Sequence, residues 1–150
     1  MTAYALVKFV HVFLAIVAVG FNASYAIWLG RSSGRPEQGA VLRGIKVLDD
    51  YFANPAYILL LVTGLALVLI GHLSLRTFWI TASLVLWLVA IAAGYGLYTP
   101  TLRRQVRILE ATGADSAEYQ ALDRRGTVIG IGLAVIVVVI VFLMVTKPAF

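Results

Sequence analysis

Cysteine is absent from the 150-residue sequence. That absence excludes disulfides, thiolate metal sites and cysteine nucleophiles. Charge is scarce: Lys and Arg number 12 and Asp and Glu 7, together 13% of the chain. A soluble chain of this size carries charge over most of its surface, and this one has too little to do so. Methionine is limited to Met1 and Met144, and histidine to His11 and His72. Few ligands of that kind remain for a transition metal, which weakens copper transport in particular. No acidic residue interrupts the long apolar stretches, which argues against a carboxylate proton relay or a cation transporter. The H-E-x-x-H zinc motif, the phosphate-binding G-x-x-x-x-G-K-[ST] loop and the G-x-S-x-G elbow are all missing.

What is present is apolar. Hydrophobic residues make up 61% of the sequence, and its mean hydropathy is +0.94. Four stretches stand out, at about 4–29, 54–71, 77–99 and 127–146. Each has roughly 18–26 residues, enough at about 1.5 Å per residue to cross a hydrocarbon core about 30 Å thick. Helix is the conformation that satisfies the backbone there, because an open strand in lipid leaves its polar groups unpaired. The fold class is therefore all-α. The expected architecture is a polytopic membrane protein, a four-transmembrane-helix bundle with cytoplasmic amphipathic helical connections, forming a single domain over 1–150. The N-terminus lacks a basic n-region and an A-x-A cleavage site, so it reads as a retained helix.

Cations set the expected orientation. The first connection carries Arg31, Arg35, Arg43 and Lys46, and the third carries Arg103, Arg104, Arg107, Arg124 and Arg125. The opposite side has Arg76 and Lys147, with Lys8 nearby. The positive-inside rule then places both long connections in the cytoplasm and both termini outside. The same distribution accounts for the isoelectric point near 9.8 without invoking nucleic acid as a partner.

The connections themselves have helical patterning. Val41, Ile45, Leu48 and Phe52 fall on one face, opposite Arg43, Lys46 and Asp50, so this segment is expected to lie as a basic amphipathic helix in the headgroup layer. Asn54 would then cap the second span, with Pro55 at its first position. In the third connection Pro100 marks a bend, and Leu102, Val106 and Leu109 continue a stripe. Thr112-Gly113 breaks the helix, Asp115-x-x-Glu118 resembles a capping box, and Tyr119 and Leu122 line a further helix.

Small residues recur at four-residue spacing, as Gly20/Ser24, Ala90/Gly94, Ala92/Gly96 and Gly126/Gly130. Such spacing lets helix backbones approach closely. Trp28, Trp79 and Tyr98 near span ends suit an interfacial belt, while Trp87 is expected inside the bundle. Polar exceptions within the spans are Lys8, His11, Asn22, Ser24, Thr63, Thr81 and Ser83. Lys8 and His11 share a helix face. An ionisable group in a span is a functional candidate by default. His11 is accordingly either a neutral hydrogen-bonded side chain or an axial ligand to haem b or another metal. Lys8 and Arg76, near the outer surface, could pair with propionates or lipid phosphates, although Lys8 can also snorkel to the interface. His72 sits in the outer turn.

The start Lys8-Phe9-Val10-His11-Val12 with Ala15 and Gly20, the Thr63-Gly64 pair, and Val141-Phe142-Leu143-Met144-Val145-Thr146-Lys147-Pro148 resemble a bacterial family of predicted four-helix integral membrane proteins of unknown function. The resemblance covers essentially the whole chain and implies a bacterial inner-membrane protein. The first helix alone also resembles the copper-resistance D membrane domain and the four-helix haem-linked protoporphyrinogen oxidases, whose K-x-x-H histidine implies haem ligation by His11. The oxidase pattern adds a lysine in the third helix, and none is present here. The leading expectation is a non-catalytic membrane protein in contact with lipids, self-associating or serving as an accessory subunit among other membrane subunits. The alternative is a haem b-binding redox-type protein.

The cysteine-free background makes the topology directly testable. Cysteine placed at Ser33 or Ser116 is expected to resist membrane-impermeant thiol reagents in intact cells, and cysteine at Ser74 to react. The reverse labelling pattern would overturn the orientation.

Overall fold

The computed structural model describes residues 2–148. Four helices dominate them: α1 (Ala3–Ser32), α2 (Gln38–Ile70), α3 (Phe78–Thr112) and α4 (Ala117–Thr146). All four are long and apolar enough to cross a membrane, and no strand occurs among the described residues. α1 packs along α2 and α3 along α4, with further contact between α1 and α4. Large apolar side chains such as Phe9, Phe13, Ile16, Val128, Ile131, Val135 and Val138 face outward. That is the expected dress of a helix bundle solvated by lipid, which drives no apolar burial of its own.

α2 and α3 have 33 and 35 residues. At the helical rise they reach about 50 Å, roughly 20 Å more than the hydrocarbon core needs. The excess lies at one end, where Gln38–Leu48 of α2 and Thr99–Thr112 of α3 meet the neighbouring ends of α1 and α4. Here water, not lipid, is the competing solvent, and apolar burial becomes favourable. The buried cluster of Tyr25, Leu42, Ile45, Leu102 and Tyr119 forms in this cap. Leu42 is fully buried within it.

This corrects the expected lie of the first connection. Its apolar stripe does not stand free for a headgroup layer, because Ile45 is buried with Tyr25, Leu42, Leu102 and Tyr119, and Val41 and Leu48 pack against that cluster. Phe52, at the membrane end of the stripe, remains exposed and leans on Phe21 with ring centroids 6.0 Å apart. Nor does Asn54 cap a helix. Its backbone is helical, with φ −61° and ψ −48°, and α2 passes through it.

The chain keeps the helix going past each inner proline by widening one turn. A π-helical turn at Asp49–Ala53 precedes Pro55, and another at Gly94–Tyr98 precedes Pro100. A proline ring clashes with the carbonyl four residues earlier, here that of Tyr51 or Gly96, and supplies no N–H to it. Both carbonyls belong to the widened turns, which is how π-bulges absorb such a mismatch. Pro100 therefore continues α3 and does not end it.

The helical hairpin expected in the third connection is present. Gly113, with φ 82°, ends α3 in a conformation that favours glycine. The cap of α4 falls one residue beyond the expected Asp115: Ser116 Oγ accepts from the Tyr119 backbone N–H at 3.3 Å. Glu118 pairs instead with Arg104 of α3. At the opposite end of the bundle, Lys147 Nζ stands 5.6 Å over the Trp79 ring, joining the last turn of α4 to the first of α3.

Candidate functional site

The antiparallel packing of α1 on α2 sets His11 against Thr63 and Gly64. Thr63 Oγ1 donates to the Leu59 carbonyl one turn back, at 2.7 Å, a bond that β-hydroxyl side chains commonly make within helices. Its single proton is thereby used. His11 Nδ1 stands 2.8 Å from the same oxygen, and the tautomer protonated on Nδ1 lets His11 donate to Thr63 while Thr63 donates to Leu59, leaving the lone pair on Nε2. A Cβ at Gly64 would stand 3.2 Å from His11 Cε1. Glycine at 64 thus gives the ring room to lie against the α2 backbone. The K-x-x-H start of α1 and the Thr63-Gly64 pair of α2 are two sides of one contact.

A second tie lies nearer the cap, where Asn22 Nδ2 donates to the Ala18 carbonyl at 2.9 Å and to Tyr57 Oη of α2. Ser83 Oγ and Trp87 Nε1, one turn apart on α3, are buried without a hydrogen-bond partner. The expected interior position of Trp87 is thus confirmed.

At the junction of cap and membrane, Asp49 is buried, with a single hydrogen bond from Asn54 Nδ2 at 3.4 Å. Tyr25, Tyr57 and Tyr98, from α1, α2 and α3, lie within its electrostatic reach. The Tyr25 hydroxyl is buried and unpartnered. Adjacent Asp50 instead receives both cations, Lys46 at 2.5 Å and Arg103 at 3.7 Å. Asp49 had no place among the candidates read from sequence, yet a signal existed. Leu42, Ile45 and Asp49 fall at i, i+3 and i+7, which puts the carboxylate on the buried face.

The sequence-derived trio of His11, Lys8 and Arg76 is not brought together by any hydrogen bond or ion pair among the described residues. Lys8 is exposed on α1. Arg76 is exposed in the turn between α2 and α3, where its backbone N–H donates to Ser74 Oγ at 3.2 Å. His72 shares that turn in a left-handed conformation, φ 51°. No group of three or more His, Cys, Asp or Glu side chains suited to a metal ion occurs among the described residues.

Haem b finds one of its two requirements at His11. In the Nδ1-protonated tautomer Nε2 carries a lone pair and Nδ1–H is held by a second group, as metal-ligating histidines usually require. A pocket beside the ring is the second requirement. Two hollows, of about 530 Å³ between α3 and α4 and about 170 Å³ beside Trp28 and Arg31, both lie away from His11. The arrangement at His11 works as a helix-to-helix tie.

A family described as predicted integral membrane protein (DUF2269) matches residues 5–148. No curated protein and no solved structure matches the chain.

The tie makes its own demand on stability. Thr63→Val keeps the shape and removes the acceptor of the His11 proton, and is expected to cost about 0.5–2 kcal/mol. Unfolding in detergent would show the loss, and in a double-mutant cycle most of it should vanish when His11 is already alanine. Additive losses would mean that the two side chains do not interact.

Proposed function

The chain belongs to the DUF2269 family of predicted integral membrane proteins, and from that premise we propose that it is a non-catalytic membrane subunit that associates with copies of itself. The observation that carries this reading is the difference between its glycines. Gly64 faces His11 and Gly130 faces Tyr98, within the chain. Around Gly20 and Gly96, an added Cβ would meet nothing within 4 Å. Both are exposed, and Gly96 is joined by exposed Ala92 one turn earlier on α3. Small outward faces admit a second helix backbone closely, and close packing is what drives association in lipid. The polar groups His11, Thr63, Asn22 and Tyr57 are meanwhile used in ties between α1 and α2, and so serve assembly of the bundle. In this reading the basic cap faces the cytoplasm of an inner membrane, following its cations.

Gly20→Leu and Gly96→Leu are expected to reduce the assembled mass in mild detergent, measured by light scattering on a sizing column, without lowering the stability of the single chain. Wild-type protein that stays monomeric, or variants that keep the full assembled mass, would contradict self-association. A different membrane protein co-purifying in fixed ratio would favour the accessory-subunit form.

A second reading, haem b on His11, is favoured by the hydrogen bond that Nδ1 makes to Thr63, which in the Nδ1-protonated tautomer leaves Nε2 for a metal. It predicts a Soret band in purified protein, lost in His11→Ala and kept in His72→Ala, with weaker haem retention in Lys8→Ala. Protein supplied with haem and showing no such band would remove this reading.

A further inference from the structure

The ion pairs of the cap leave Arg31, Arg107, Arg124 and Arg125 without a carboxylate partner among the described residues, and the last two are adjacent. Arg35 pairs with Glu37, Arg43 with Glu110, Lys46 and Arg103 with Asp50, and Arg104 with Glu118. The carboxylate nearest in sequence to Arg124 and Arg125, Asp123, is engaged elsewhere: its Oδ1 accepts from Gln105 Nε2 of α3 at 2.8 Å. Adjacent unpaired cations are thus left on α4 immediately before its apolar run begins.

They line a hollow. The space between α3 and α4 measures about 530 Å³ and is walled by Leu97, Ala121, Arg124, Arg125, Val128 and Ile129. It is a shallow groove, open along one side to the surroundings of the bundle. The composition is graded along α4. Arg124 and Arg125 line its cap end, and Val128 and Ile129 follow along α4 toward the membrane side, with Leu97 of the π-helical turn also lining it.

We propose that this groove binds one anionic phospholipid, with its phosphate held by Arg124 and Arg125 and an acyl chain laid along Leu97, Val128 and Ile129. The charge complementarity is specific in kind, since guanidinium forks match phosphate oxygens and pair with them through charge-assisted hydrogen bonds. Basic pockets between transmembrane helices are a recurring form of headgroup site. The apolar wall distinguishes a membrane lipid from free phosphate, which would use the arginines alone. The proposal does not depend on self-association, because the groove lies within one chain.

The test uses the full chain, stripped of lipid in detergent and then given phosphatidylglycerol, phosphatidylcholine or inorganic phosphate. Thermal unfolding and native mass spectrometry are the readouts. Phosphatidylglycerol is expected to raise the unfolding temperature and to leave one retained lipid per chain. Phosphatidylcholine and phosphate should do neither. The double variant Arg124→Gln/Arg125→Gln should bind phosphatidylglycerol roughly ten- to thirty-fold more weakly. Arg107→Gln, which removes an exposed cap arginine outside the groove, should bind as wild type does. Equal stabilisation by phosphatidylcholine, an equal effect of phosphate alone, or full binding by the double variant would each overturn the site. An equal loss in Arg107→Gln would reduce it to the general charge of the cap and overturn it as well.

Discussion

The bundle is tied most firmly where its inner helices outgrow the membrane. Apolar side chains at membrane level gain little by leaving lipid for protein, so burial there holds helices together only weakly. In the cap the alternative is water, and full burial of a residue such as Leu42 is worth about 1.5–3 kcal/mol. Tyr25 reaches this cluster from α1, Leu42 and Ile45 from α2, Leu102 from α3 and Tyr119 from α4. Every helix contributes to it. Its polar edge is also shared, because Gln38 Nε2 donates to Tyr119 Oη at 2.7 Å and Gln105 Nε2 approaches the same oxygen at 3.4 Å.

That cap requires α2 and α3 to run unbroken from the membrane into water, and each contains a proline at the boundary. An ordinary α-helix would kink or end there. The two widened turns preserve continuity, so the register of Leu42 and Ile45 on the cap side is linked mechanically to that of Thr63 and Gly64 on the membrane side. The same helix therefore serves two solvents by two means. It buries apolar side chains against its neighbours in the cap, and it uses a hydrogen bond to His11 and a backbone approach in the membrane.

Much of this was legible in the sequence, because span length and hydropathy depend on local composition. Periodicity alone also located the break at Gly113 and the helices on either side of it. The lie of the first connection was harder to read. An apolar stripe of Val41, Ile45 and Leu48 is equally suited to a lipid surface or to a protein surface, and only the arrival of Tyr25, Leu102 and Tyr119 from distant segments decides between them. The capping role assigned to Asn54 failed for a related reason. Asn-Pro is a sound helix start in isolation, but burial on both sides of it favours one continuous helix with a widened turn. His11 stands out in the sequence as a conspicuous polar group of α1. Its partner was not legible, since the pairing of residues 11 and 63 depends on how two helices are set against each other.

Asp49 shows how the two solvents meet. A buried carboxylate is costly unless it is paired or hydrogen-bonded, and this one has only the long bond from Asn54. The like charge of adjacent Asp50 adds to that cost, and the cations paired with Asp50, Lys46 and Arg103, offset part of it. Four tyrosines from three helices, Tyr25, Tyr57, Tyr95 and Tyr98, also lie within its electrostatic range. Phenol hydroxyls are donors that lipid cannot satisfy, and a carboxylate offers about four acceptor sites. Moved one turn toward the cap, the carboxylate would displace Ile45 from the apolar cluster. Moved one turn toward the membrane, it would lose the cations of Asp50. The boundary turn is the one place on the buried face of α2 where its charge has both neighbours, and it is also the turn that widening has already loosened.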